Sequence, residues 1–140
     1  MKINEIMTRE VEIVHTNDPL QTVARKMRVR DIGFLPVYDG DQLIGTLSDR
    51  DLTIRAMAEG MNPKTIIGRD LVTSPAICCF EDQDVEDAAR LMRDNQIRRL
   101  VILSRRDNRL AGVLSIGDLA INVESKLLSE VMQGVSEMVG

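Results

Sequence analysis

Apolar residues along the chain follow a helical spacing that occurs twice. Leu20, Val23, Ala24 and Met27 have the i, i+3, i+4, i+7 spacing of a helix with one buried face. The spacing returns 65 residues later, and the offset becomes 67 after a two-residue insertion within 104–108. The matching positions of the second copy include Val85, Ala88, Ala89, Met92, Arg90, Arg93, Ile97, Leu100, Leu110, Gly112, Leu114, Ser115, Asp118 and Leu119. This series predicts an internal duplication.

Each copy predicts the same order of elements: a short strand, a helix, a β-hairpin and a second helix. In copy one these are Val11–Val14, a helix with Asp18 as N-cap and Pro19 in its first turn, strands Leu35–Tyr38 and Leu43–Leu47, and a helix from Ser48. In copy two they are Ile77–Phe80, a helix opened by Gln83-Asp84, strands Leu100–Leu103 and Leu110–Leu114, and a helix from Ser115. The order predicts an α/β (α+β) chain of two tandem repeats.

The repeats also predict boundaries. Repeat one spans 1–60, a linker 61–70, repeat two 71–125 and a C-terminal amphipathic helix 126–140. Within Ala120–Val139, apolar positions continue the second repeat as a helix, namely Leu127, Leu128, Val131, Met132, Val135, Met138 and Val139. Their face packs either on its own domain or against a second copy of the chain, and the sequence leaves both open.

Composition narrows the function classes. The 140-residue chain is 44% apolar with only 2% aromatic residues, so its core must be mainly aliphatic. A net charge of −4 disfavours non-specific nucleic-acid binding, which needs a basic face. No run of 18 apolar residues occurs, so no membrane span is expected.

The start of the chain and the two cysteines indicate the compartment. Residues 1–5 carry charge and lack an apolar run, so no secretory signal is expected. Adjacent Cys78 and Cys79 would point to opposite faces of a strand, which does not suit a disulfide and indicates a reducing cytoplasm. Zinc binding with His15 as a third ligand is the alternative, but the spacing differs from that of usual zinc sites, and we expect no metal.

The order of elements and a motif at the end of each copy resemble the CBS domain. The motif Gly-x-x-Ser-x-x-Asp occurs at 45–51 and 112–118. Met7-Thr8 and the hairpin entries at 33–37 and 97–102 also fit, and the resemblance covers roughly residues 3–125. Copy two departs from copy one by having Val72 in place of Met7. Copy one has Gly33-Phe34 where copy two has two arginines.

The resemblance implies a stand-alone pair of repeats with pseudo-two-fold symmetry, packed through their sheets around two clefts, and such pairs commonly form homodimers. Members bind adenosine-containing ligands such as AMP, ADP, ATP, S-adenosylmethionine or dinucleotides. We therefore expect a non-enzymatic regulatory module for signal transduction that requires no cofactor. The alternative is a dimeric adaptor that binds a partner protein with its clefts empty.

An adenosine nucleotide makes three demands that this sequence can be tested against. The ribose hydroxyls need a fixed carboxylate, the phosphate needs hydroxyls and cations near a helix N-terminus, and adenine needs an apolar slot. We assign the carboxylates to Asp51 and Asp118 and the hydroxyls to Ser48 and Ser115. The cations are Arg50 for the first cleft and Arg98 and Arg99 for the second. One adenine slot would be lined by Val11, Phe34, Leu35 and Pro36, and the other by Ala76 and Ile77.

Each assignment has a structural alternative. Ser-x-x-Asp before an apolar helix is also a plain capping arrangement. The two arginines could be solvated, and Asp49-Arg50-Asp51 could be a local ion-pair cluster in which Asp49 occupies Arg50. A catalytic site is disfavoured because the chain has one histidine and lacks the nucleophile-elbow, zinc-helix and phosphate-loop motifs.

Overall fold

The computed structural model describes residues 1–123 and 125–136, and its elements repeat in the predicted order. A 3₁₀ turn at Ile3–Glu5 comes first. It is followed by β1 Val14–His15, α1 Leu20–Arg30, β2 Phe34–Asp39, β3 Gln42–Ser48, α2 Asp49–Asp51 continued by a π-helical segment Leu52–Met57, and α3 Gly68–Leu71. The second series is β4 Cys78–Phe80, α4 Val85–Asn95, β5 Arg99–Leu103, β6 Leu110–Ser115, α5 Ile116–Asn122 and α6 Ser125–Ser136. The α/β fold of two tandem repeats is confirmed.

The chain divides into two compact units, each built around one sheet. The repeat-one unit is Glu12–Ala76; the repeat-two unit joins Met1–Val11 to the described residues from Ile77 onward. The boundaries predicted from the sequence follow chain order, whereas the compact unit of the second copy also contains Met1–Val11. Backbone hydrogen bonds tie this segment in: the Thr8 N–H donates to the Val113 oxygen and the Val113 N–H to the Thr8 oxygen, both at 2.9 Å.

Both sheets have the same topology. In the repeat-one unit β1 runs parallel to β2, which pairs with β3 as an antiparallel hairpin; β4, β5 and β6 repeat this arrangement. The first strand is shorter than predicted, because only Val14 and His15 pair with β2. The buried positions Leu35 and Leu47 face each other across the first hairpin, as Leu100 and Leu114 do across the second.

Helix α1 begins one residue later than predicted. Its N-cap is Pro19, so the prediction of Asp18 as N-cap is wrong. The Asp18 Oδ2 atom instead accepts the His15 N–H at 2.9 Å and lies 3.4 Å from the Lys26 Nζ. Asp18 therefore stabilises the turn that leads into the helix rather than the helix start itself.

The C-terminal helix packs on its own unit. Val131 and Val135 of α6 are 1% and 3% exposed and belong to the core cluster that also contains Ala89 and Met92 of α4. The predicted continuous helix is interrupted at Val123, which has extended backbone angles. Met138 and Val139, which the sequence placed on the same face, lie outside the described residues.

The glycine of the repeated motif is explained by a close approach of backbone. A Cβ atom on Gly45 would overlap the carbonyl oxygen of Thr73, and one on Gly112 would overlap that of Thr8. Thr73 and Thr8 belong to the segments that precede the first strand of each copy, and each bridges to the last strand of the sheet in its own unit. The motif therefore needs glycine for packing, whether or not a ligand binds.

Candidate functional site

The serine and aspartate of the repeated motif form a reciprocal cap at both helix starts. In the repeat-one unit, the Ser48 Oγ accepts the Asp51 N–H at 3.1 Å and the Asp51 Oδ2 accepts the Ser48 N–H at 2.8 Å. In the repeat-two unit, Ser115 and Asp118 make the same two bonds at 3.1 and 2.9 Å. The structure therefore confirms that Ser-x-x-Asp caps both helices, which does not exclude a second role in ligand binding. The cap fixes each carboxylate while engaging only one of its two oxygens.

The second carboxylate oxygen has different surroundings in the two units. In the repeat-one unit, the Asp51 Oδ1 lies 3.7 Å from the Arg55 Nη2. In the repeat-two unit, Asn122 occupies the equivalent helical position and donates to the backbone oxygen of Asp118 at 2.8 Å. Sequence reasoning missed Arg55, although its i, i+4 spacing from Asp51 is a recognised ion-pair signal on a helix.

The predicted cations also differ in their setting. Arg99 of β5 lies directly opposite Ser115 of β6, so their side chains leave the same face of the sheet. The carbonyl oxygen of Arg98 accepts the N–H of Ile116, the first residue of α5, at 2.8 Å. The repeat-two structure therefore brings both arginines to the start of the capped helix, and both are exposed.

An acidic side chain takes this position in the repeat-one unit. The Gly33 oxygen accepts the Asp49 N–H at 2.9 Å, and a Cβ on Gly33 would overlap the Asp49 carboxylate. Asp49 Oδ1 accepts the backbone N–H of Arg50 at 2.9 Å. Among the described residues the Arg50 side chain forms no ion pair, so the structure does not support the alternative in which Asp49 occupies Arg50. Its guanidinium is exposed.

The residues assigned to adenine slots are distributed unevenly. Leu35 is fully buried in the repeat-one core and Pro36 is also buried, whereas Phe34 is half-buried and pairs with Ser48 across the hairpin. Val11 is half-buried and falls in the repeat-two unit; Ala76 is half-buried and falls in the repeat-one unit. Ile77 packs against the repeat-two core. The adenine slots stay a prediction.

The cysteines and the histidine form no metal cluster in the part of the chain that the structure describes. Cys78 is half-buried and Cys79 is buried, and both are thiols rather than halves of a disulfide. Burial raises the pKa of Cys79 to about 11, with Asp87 and Cys78 adding to the rise. The Cys79 side chain is therefore in its thiol form at neutral pH.

A separate cavity of about 440 Å³ opens between α4 and α6 in the repeat-two unit. Its lining includes Val85, Ala89, Arg93, Leu127 and Val131. None of the ligand-binding residues predicted from the sequence lines it.

Among the described residues, no helix combines the length and apolar character needed to cross a bilayer.

Comparison with known proteins decides the family. The profile of the CBS domain matches residues 3–57 and again residues 67–125. The chain belongs to the CBS-domain family. The CBS domain-containing protein YhcV of Bacillus subtilis is 33% identical over 120 residues, which cover 86% of this chain and 84% of that protein.

Two solved structures are also similar. Hypoxic Response Protein I, described with two coordinated zinc ions, has a TM-score of 0.77 and 30% identity, covering 89% of this chain and 100% of that one. A CBS domain protein of Pyrobaculum aerophilum complexed with AMP has a TM-score of 0.76 and 25% identity, covering 95% and 99%. This CBS chain therefore shares its two-repeat architecture with proteins that hold different small ligands.

Proposed function

We propose that this CBS-domain protein is a regulatory module that binds an adenosine-containing nucleotide at its capped helix starts. The observation that carries the proposal is the Asp118 carboxylate. The cap holds it through Oδ2, and its other oxygen is left for ribose hydroxyls. Two exposed arginines, Arg98 and Arg99, lie at the same helix start, where a phosphate would be favoured.

The ligand class rests on chemistry and on one relative. A fixed carboxylate beside cations suits a ribose phosphate, and the similar Pyrobaculum protein was solved with AMP. AMP, ADP, ATP and S-adenosylmethionine are the ligands to test, with no cofactor and no catalysis proposed. The two thiols suit a reducing, cytoplasmic setting. To act as a signal, the ligand must bind two states of the protein with unequal affinity.

A dimeric adaptor that works without nucleotide is the second candidate. Ile54 and Met57 of the π-helical segment are 51% and 75% exposed, and apolar side chains so exposed favour self-association or a partner protein. This candidate predicts no response to any adenosine compound.

A thermal-unfolding screen separates the two candidates. AMP, ADP, ATP, S-adenosylmethionine and NAD are each added to the purified protein at rising concentration. A ligand at about 100 times its dissociation constant should stabilise the folded state by about 2.7 kcal/mol. Asp118→Ala is the matched control, because it should reduce that response. An unchanged melting temperature with all five compounds would reject nucleotide sensing and favour the adaptor.

A further inference from the structure

Arg55 holds the candidate ribose carboxylate of the repeat-one unit from one side. Its Nη1 atom donates to the backbone oxygen of Leu71 at 2.8 Å, and its Nη2 atom lies 3.7 Å from the Asp51 Oδ1. Leu71 is 3% exposed, and the Asp51 side chain is 18% exposed. The guanidinium is therefore anchored through Nη1, and its Nη2 atom faces the Asp51 carboxylate.

Both oxygens of Asp51 thus have intramolecular partners. Oδ2 accepts the Ser48 N–H in the cap, and Oδ1 faces Arg55. Arg55 lies within the π-helical segment Leu52–Met57, which follows the cap directly. A π-helical turn inside a helix is uncommon and occurs often at functional sites.

The repeat-two unit lacks this arrangement. Asn122 stands four residues after Asp118, as Arg55 stands four residues after Asp51, but its amide donates to the Asp118 backbone oxygen. In the described residues Asp118 forms no ion pair. The helix there is a regular α-helix, Ile116–Asn122. The second oxygen of the Asp51 carboxylate therefore has a guanidinium beside it, and among the described residues that of Asp118 has none.

We propose that Arg55 is a specificity-determining residue that competes with ribose hydroxyls for Asp51. This role rests on the proposed function. A carboxylate accepts hydroxyl hydrogen bonds more strongly when no cation offsets its charge. The repeat-one site therefore binds the ribose of an adenosine compound more weakly than the repeat-two site. Arg55 acts through Asp51, so it is a positioning residue rather than a direct ligand contact.

The test exchanges the two residues in single-site backgrounds, with adenosine as a probe that carries no phosphate. Asp118→Ala leaves the repeat-one site, and Arg55→Asn is added to it. Asp51→Ala leaves the repeat-two site, and Asn122→Arg is added to that. Because Arg55 is partly exposed, calorimetric titration should show affinity rising about two- to fivefold in the first case and falling by a similar factor in the second.

Two controls separate competition from structural damage. Arg55→Lys keeps a cation four residues after Asp51, so under competition this variant should retain the weak adenosine affinity. If Arg55 acted only through its hydrogen bond to Leu71, Arg55→Lys would instead raise the affinity as Arg55→Asn does. Arg69→Asn removes a guanidinium that pairs with Asp39 at 3.2 Å in the same unit and should leave adenosine affinity unchanged. Raising the salt concentration should narrow the difference in affinity that the Arg55→Asn change produces.

The outcomes distinguish this role from the proposed function. If no variant and no wild-type protein binds adenosine or AMP, the proposed function fails, and this role with it. If the Asp51→Ala protein binds adenosine but Arg55→Asn does not tighten the remaining site of the Asp118→Ala protein, the proposed function stands and the role of Arg55 is overturned. A rise in affinity with Arg55→Lys equal to that with Arg55→Asn would also overturn it.

Discussion

Arg99 and Ser115 are cross-strand neighbours in the repeat-two sheet. Phe34 and Ser48 are the equivalent neighbours in the repeat-one sheet. The serine caps a helix in both units, so the difference lies in the residue opposite it. A cation in one copy and an aromatic ring in the other present different chemistry to a ligand at the same helix start. Duplication has thus preserved the cap while the side chains around it diverged.

Asp118→Ala should weaken adenosine-ligand binding at the repeat-two site while the fold survives. Loss of a charged ribose contact should cost about 1.5–3 kcal/mol of binding free energy. The same change removes one half of the helix cap, which should lower stability by about 0.5–2 kcal/mol. Asp118→Asn is the control, because its amide oxygen can still cap. Titration that shows unchanged affinity, with both sites resolved, would contradict the assignment of Asp118.

Gly112→Ala should destabilise the protein without any ligand present. The added methyl would overlap the Thr8 carbonyl oxygen, and displacing this backbone should cost about 1–3 kcal/mol. Gly117→Ala is the matched control: its Cβ would lie 3.4 Å from the Ser115 Oγ, an ordinary contact. Urea unfolding measures both variants. Equal stability of the two would show that Thr8 does not lie against β6.

Val131→Ala should destabilise the repeat-two unit through the α4–α6 packing. Val131 is 1% exposed, so truncation leaves a cavity and should cost about 1–3 kcal/mol. Met132 on the same helix is 43% exposed, and Met132→Ala should change the free energy of unfolding by less than about 0.5 kcal/mol. If Val131→Ala were as harmless as Met132→Ala, α6 would not pack on its own unit.

The sequence predicts the features that depend on neighbouring residues, and it misses the contacts between residues that are distant along the chain. The helices and hairpins follow from apolar period and turn residues within a few positions of each other, and the caps follow from Ser-x-x-Asp. The place of Met1–Val11 depends on a backbone bridge from Thr8 to Val113, more than 100 residues away, which no periodicity encodes. The Arg55–Leu71 bond also joins distant residues, because the Leu71 carbonyl comes from a separate helix. The alternative in which Asp49 pairs with the Arg50 side chain also depended on a local detail that spacing does not encode, because the Asp49 carboxylate accepts a backbone N–H instead.

The protein should be a homodimer in solution. The paired repeats and the exposed apolar side chains Ile54, Met57 and Ile121 favour self-association. Light scattering at tens of micromolar should give twice the chain mass of 15.7 kDa. Met57→Asp should shift the mass towards one chain, whereas Thr53→Asp on the same helical segment serves as the charge control. A mass of 15.7 kDa for the wild-type protein would exclude the dimer.

The repeat-two site should be the preferred site for phosphorylated ligands. Arg98 and Arg99 lie at its helix start, and guanidinium groups bind phosphate through paired, charge-assisted hydrogen bonds. In the repeat-one unit the carboxylate of Asp49 lies against Gly33, the position equivalent to Arg98, and repels phosphate. Affinity at the repeat-two site should therefore rise with phosphate number and fall with salt, while the repeat-one site should be weaker or favour a less charged adenosine compound.

The decisive comparison for this preference sets the double variant Arg98→Ala/Arg99→Ala against Arg50→Ala, each titrated with AMP and ATP. The double variant should lose affinity for ATP more than for AMP, because more phosphate charge goes unpaired. Arg50→Ala should have the smaller effect, because the carboxylate of its neighbour Asp49 opposes phosphate at the same helix start. If Arg50→Ala alone abolished binding and the double variant bound both nucleotides normally, the order of the two sites would be the reverse of the one proposed.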